Sequence, residues 1–206
     1  MNYCKIKQCD IADGLGVRVS LFVSGCTNHC KGCFQPETWD FNYGWEFDKK
    51  VEDTIIDSLK QPYVNGLTLL GGDPFEPKNQ YPLYQFLLRV KKEVLDKDIW
   101  AYTGFRFEDI LDPTMYPHTS CSEEYIKLID VLVDGPYKEE LRSPALKFRG
   151  SSNQRIIDVK KTIEENKIIL SKTTEPEPTT KKSLEDKIKN LDKSQREKLS
   201  RMIDKL

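Results

Sequence analysis

Three cysteines fall within eight residues, Cys26-Thr27-Asn28-His29-Cys30-Lys31-Gly32-Cys33, directly after an apolar run that ends at Gly25. A loop built this way must hold its thiols close together on a rigid support. Thiolates are soft ligands suited to zinc and to iron-sulfur clusters, and three of them on a four-iron cubane leave one iron without a protein ligand. A structural zinc site wants four closed ligands, so here it would have to recruit His29 or the distant Cys4, Cys9 or Cys121. Cys30-Lys31-Gly32-Cys33 alone can be read as a thioredoxin-like dithiol, a reading that leaves Cys26 idle. Disulfides are the weakest option. The sequence opens on Met1-Asn2-Tyr3-Cys4-Lys5 with no apolar signal region behind it, so a reducing, cytoplasmic setting is expected.

The rest of the chain sets outer bounds. Its 206 residues suffice for one α/β domain plus an appendage, and no apolar run approaches the length of a membrane span. Lys and Arg total 32 against 33 Asp and Glu, a net charge of -1. That balance gives no general attraction to nucleic acid or an anionic membrane, and neither is expected as a partner.

Short apolar or β-branched runs at 17–23, 67–70, 99–102 and 131–133 read as strands, each ending in a glycine-bearing turn. Between them, 48–59 and 82–95 carry apolar residues at helical spacing, with Asp48 as N-cap and Gln61-Pro62 as the stop of the first helix. Strand, helix, strand, repeated, predicts an α/β fold with a mostly parallel sheet. In such folds ligand-binding groups gather at the carboxyl ends of the strands. The cysteine loop, Gly71-Gly72-Asp73-Pro74, Thr103-Gly104 and Asp134-Gly135-Pro136 should therefore share one face. Trp100 and Tyr102 alternate with Ile99 and Ala101, and either pair can face an interior cavity.

The pattern changes near residue 171. Residues 171–182 contain no apolar side chain and two prolines, the composition of a flexible linker. From 183 to 206, Leu184, Ile188, Leu191, Leu199, Met202 and Leu206 recur as on one face of an amphipathic helix, and Ser194-Gln195-Arg196-Glu197 matches a capping box. The expected organisation is a domain at 1–170, a linker at 171–182 and a helical docking tail at 183–206.

The Cys-x3-Cys-x2-Cys loop followed by Gly-Gly-Asp-Pro resembles the radical S-adenosylmethionine superfamily, and in particular its small glycyl-radical-enzyme activases. The segments Arg18 to Gly25, Thr38-Trp39, Lys97 to Gly104, Val131 to Gly135 and Pro144 to Gln154 narrow the resemblance to the activases of anaerobic, class III ribonucleoside-triphosphate reductases. It covers residues 1–157 and does not reach the tail. It implies a trimmed, partial (βα) barrel. It also implies one [4Fe-4S] cluster on Cys26, Cys30 and Cys33, with the fourth iron chelated by the amino and carboxylate groups of S-adenosylmethionine. Gly71 and Gly72, with Asp73, would form the turn that holds the methionyl amino group. Gly32, Cys33 and Phe34 would make the other cofactor contact, Phe34 near the adenine or simply as a core aromatic.

The resemblance further implies reductive cleavage of S-adenosylmethionine and removal of hydrogen from a glycine Cα of the large catalytic subunit of the reductase. The two chains would form a heterotetramer, with a flavodoxin as electron donor. Asp73, where many superfamily members have glutamate, and Gly32, where many have an aromatic, look usual for this group. Other readings are an activase for a different glycyl radical enzyme such as pyruvate formate-lyase, a small radical enzyme acting on a metabolite, and a non-catalytic metal-binding docking module. Cys4, Cys9 and Cys121 read as packing residues, His29 as a surface or cluster-tuning group, and Asp134 as a turn former or ligand contact.

Overall fold

A computed structural model describes residues 1–172 together with Asp192, Lys193 and Glu197. All but those three residues of the expected helical tail, and nearly all of the expected linker, lie outside the described residues.

The chain forms a mixed α/β fold around one seven-stranded sheet with strand order β3-β1-β2-β4-β5-β6-β7. Four central strands are parallel: β2 (Arg18–Val23), β4 (Gly66–Gly71), β5 (Asp98–Tyr102) and β6 (Val131–Asp134). They are the four runs expected from the sequence. Antiparallel strands extend both sides: β1 (Asn2–Asp10) and β3 (Trp45–Glu46) beyond β2, and β7 (Arg155–Asp158) beyond β6. The run after Gly16 is thus the second strand, not the first. β1 escapes the apolar-run criterion because Lys5, Lys7 and Gln8 interrupt it, and its pairing with β2 is broken by two register shifts. Half-exposed antiparallel strands tolerate such sequences; strands covered on both faces do not.

Connections between the parallel strands run through α1 (Lys49–Leu59), α2 (Pro77–Glu93), and the short α3 (Phe107–Leu111) and α4 (Ser122–Ile126). Asp48 caps α1 as expected, Oδ1 accepting from the Val51 N–H at 3.0 Å. The second helix starts five residues earlier than Pro82, because Pro77 occupies its first turn, where a missing N–H costs nothing. Pro82 then lies inside it, and burial of Leu83, Phe86, Leu87 and Val90 offsets the lost bond. A fifth helix, α5 (Val159–Glu165), leads to residues 169–171, which bond to β7.

Alternation along the central strands divides two layers. Val19, Leu21, Leu67, Leu69, Ile99, Ala101 and Leu132 join the main core with Ile55, Phe86 and Tyr125 from the helices. The opposite pleat of β5 sends Trp100 into a smaller cluster with Val133 and Ile156, bordered by Tyr102 and Phe148. Arg18 lies fully buried under Trp100, its guanidinium 5.3 Å from the ring, and donates to Thr68 Oγ1 at 2.6 Å and Asp98 Oδ1 at 2.7 Å. These contacts close the amino-terminal end of this face and leave its carboxyl end open.

Candidate metal centre

The open end holds a cavity of about 650 Å³. Phe22, Leu70, Gly71 and Tyr102 reach it from consecutive parallel strands, and Cys26, Cys30, Cys33, Gly72, Asp73, Thr103 and Gly104 line it from the loops that follow. The expected sharing of one face by the cysteine loop, the Gly-Gly turn and the Thr103-Gly104 turn is therefore realised. Phe34 sits on the rim, 71% exposed, 6.1 Å from Tyr137 and under the Arg142 guanidinium; it is not a core aromatic. Gly32 is not part of the cavity wall; a Cβ added there would meet the Glu139 carboxylate.

Backbone bonds clamp the loop and the turn together. Gly25 N–H donates to Thr38 O at 2.7 Å, Gly72 N–H to Val23 O at 2.7 Å, and Asp73 N–H to Gly25 O at 2.8 Å. Gly71 has φ +106°, and an added Cβ at Gly72 would come within 2.5 Å of Gly25 O, so this crossing needs both glycines. His29 stacks on Trp39 at 4.6 Å, at the exposed edge of the loop.

Asp73 is the centre of the arrangement. Its buried carboxylate accepts from Phe75 N–H at 2.9 Å, Gly104 N–H at 2.8 Å, Thr103 Oγ1 at 3.0 Å and Asn28 Nδ2 at 3.1 Å. Burial pushes it up to about 7 against the pull of those donors. Burial, then the Asp73 charge, pushes the Cys26 thiol up to about 12, and burial also raises Cys30. Thiolates at these positions call for a cation beside them.

Among the described residues no three His, Cys, Asp or Glu side chains converge at the spacing one metal ion requires. All six cysteines are free thiols, and Cys4, Cys9 and Cys121 lie outside the cavity wall.

Several wall residues were not singled out by sequence reasoning. Asn28 inside the loop, Phe148, Arg149 and Gln154 from the β6–β7 connection, and Lys7 and Asp13 near β1 all line the cavity. The alternation on β5 resolves with Tyr102 toward the cavity and Ile99 and Ala101 in the main core. The buried Tyr102 hydroxyl has no hydrogen-bond partner among the described residues. Asp134 is elsewhere: it accepts from Phe107 N–H at 2.8 Å and pairs with Arg155.

The cysteine-lined cavity lies on the carboxyl edge of a parallel sheet, and residues 12–157 match the family model described as a 4Fe-4S single cluster domain, which places the chain among the single-cluster iron-sulfur proteins. The chain is 41% identical over 158 residues to the anaerobic ribonucleoside-triphosphate reductase-activating protein of Pasteurella multocida, spanning 76% of this chain and 96% of that one. It is 42% identical over 160 residues to the protein of that name from Haemophilus influenzae, spanning 76% and 97%. The counterpart in Enterobacteria phage T4 is 39% identical over 156 residues, spanning 76% and 93%. The chain belongs to the family of anaerobic ribonucleoside-triphosphate reductase-activating proteins.

Proposed function

We propose that this chain activates an anaerobic ribonucleoside-triphosphate reductase by radical S-adenosylmethionine chemistry. The observation that carries the reading is the single cavity shared by Cys26, Cys30, Cys33 and the Gly71-Gly72 turn. Cys26, Cys30 and Cys33 would hold a [4Fe-4S] cluster, which when bound would supply one electron to the sulfonium of S-adenosylmethionine. Cleavage of the carbon-sulfur bond would give methionine and a 5′-deoxyadenosyl radical, which would take a hydrogen atom from a glycine Cα of the reductase. The products are 5′-deoxyadenosine and a stored glycyl radical, and a reduced flavodoxin replaces the electron.

The chain's own groups orient this reaction. The Gly71-Gly72 backbone receives the methionyl amino group, and Phe34 on the rim covers the adenine. Tyr102, with its free hydroxyl, offers a donor to the ligand from the cavity wall. Asp73 acts as a support: with its oxygens held by four donors, it ties the cysteine loop to the Thr103-Gly104 turn. We read the sheet as a trimmed, partial barrel whose open carboxyl edge admits a glycine loop of the reductase large subunit, the two chains assembling as a heterotetramer in the cytoplasm. Residues 1–170 would form the activase domain, 171–182 a linker and 183–206 a docking helix. A chain ending at Lys172 is expected to keep its cluster and cleave S-adenosylmethionine; loss of iron on that truncation would move the boundary.

The test is anaerobic reconstitution, followed by reduction with S-adenosylmethionine and the reductase subunit. Four irons per chain and a glycyl electron-spin-resonance signal on the reductase are expected, and Cys26→Ser, Cys30→Ser or Cys33→Ser should abolish the signal without unfolding the chain. One tightly held zinc and no response to S-adenosylmethionine would mark a non-catalytic docking module. A glycyl signal on pyruvate formate-lyase but none on the reductase would reassign the partner.

A further inference from the structure

Glu76 immediately precedes α2 and is fully buried, yet no step of the reaction above uses it. Its Oε1 accepts from both the backbone N–H and the hydroxyl of Thr27, each at 2.7 Å, and its Oε2 accepts from the Tyr116 hydroxyl at 3.0 Å. Acting only as an acceptor toward three donors is the behaviour of a carboxylate. All three donors are neutral, and among the described residues no cation pairs with Glu76, so the charge is spread over hydrogen bonds and the positive end of α2. Burial, then Glu76 itself, raises the Tyr116 phenol, which keeps it a donor.

Thr27 is exposed, so water can satisfy its N–H and hydroxyl without help. A buried carboxylate is a costly way to satisfy them, and its hold on Thr27, the residue that follows Cys26, points to a purpose at the site. Negative charge beside an iron-sulfur cluster disfavours the reduced form and lowers its potential, which makes the one-electron donor stronger.

We propose that Glu76 is a positioning residue that fixes the Thr27 end of the cysteine loop and, by its charge, holds the potential of a cluster on Cys26, Cys30 and Cys33 low. The inference rests on the cluster reading above. The test is a potentiometric titration of the reconstituted full chain, followed by electron-spin resonance. Glu76→Gln keeps the side-chain length and an acceptor for Thr27 but removes the charge; iron content is expected to match wild type and the midpoint to move positive. Thr27→Val keeps the charge and removes one donor that disperses it, so its midpoint should move negative and Thr27→Ser should restore it. Loaded variants with the wild-type midpoint, or both shifting in the same direction, overturn the proposal. If Glu76→Gln does not fold, an unchanged midpoint in Thr27→Val overturns it alone. A wild-type chain that takes up no four-iron cluster sinks the underlying reading instead.

Discussion

The side-chain amide of Asn28 donates to the Asp73 carboxylate at 3.1 Å and lies 3.7 Å from the Cys26 sulfur, so one residue ties the cysteine loop to the Gly-Gly-Asp-Pro turn. The loop itself contains no regular secondary structure from Gly25 to Gln35. What keeps its thiols on the cavity wall is a set of bonds to neighbouring segments: Gly25 N–H to Thr38 O, Cys26 N–H to Trp39 O, Thr27 to Glu76 and Asn28 to Asp73.

Removing that acceptor should be severe. Asp73→Ala leaves the donors of Phe75, Gly104, Thr103 and Asn28 without their partner in a buried site. Orphaned buried donors cost about 1–3 kcal/mol each and are not additive, so a loss of about 3 kcal/mol or more is expected in urea unfolding. Iron retention after reconstitution should fall with it. Wild-type stability in this variant would mean that water replaces the carboxylate.

Gly72→Ala tests the crossing of loop and turn. The new Cβ would meet backbone atoms, Gly25 O at 2.5 Å and Gly25 C at 2.9 Å, and backbone yields less readily than a side chain. The turn should lift from the cavity wall while the cysteines keep their own anchors at Thr38 and Trp39. Titration calorimetry on the reconstituted protein should show S-adenosylmethionine binding weakened about tenfold or more, about 1.4 kcal/mol, with iron content near wild type. Unchanged affinity would remove this turn from the ligand contacts.

Much of this architecture was legible because parallel strands buried on both faces leave unmistakable apolar runs, and the turns after them need glycine. The run 17–23, the cysteines behind it and Gly71-Gly72 therefore gave both the sheet centre and the open face. The antiparallel strands were not legible for the opposite reason: β1 is half exposed, bulged and rich in lysine, and β7 (Arg155–Asp158) is only four residues long. Glu76 was invisible for a third reason. A glutamate just ahead of a helix is ordinary in sequence, and only the fold brings Thr27 and Tyr116, 49 and 40 positions away, onto its two oxygens. Asn28 and the Phe148-Arg149 wall are likewise products of long-range packing.

Trp100→Ala should separate support of the cavity from its chemistry. The ring is fully buried, stands edge-on to Phe148 at 5.4 Å and covers the Arg18 guanidinium. Deleting a buried aromatic costs about 3–5 kcal/mol, and here it also removes the surface on which Phe148 rests. Denaturant unfolding should show that loss. Proteolysis should cut faster between β6 and β7, the connection that carries Phe148 and Arg149 to the cavity; an unchanged cleavage rate there would mean that Phe148 is held by its other neighbours.

Arg155 on β7 donates to both oxygens of Glu108 on α3, at 2.9 and 2.7 Å, and also grips Asp134 at the end of β6. The bonds from Arg155 hold the Glu108 carboxyl down at about 2 from an ordinary 4.5, with burial opposing them. A carboxyl depressed in the folded state contributes stability that is fully present above its unfolded value and is lost as the pH falls through its folded one. Glu108→Gln removes this contribution. The stability difference between wild type and variant should therefore be constant above about pH 4.5 and vanish near about pH 2. Because Glu108 is 45% exposed, solvent screening limits the plateau to about 1 kcal/mol. Urea unfolding of both proteins at stepped pH would measure the difference, and a gap that persists unchanged at the acid end would assign the effect to packing of the side chain and not to its charge.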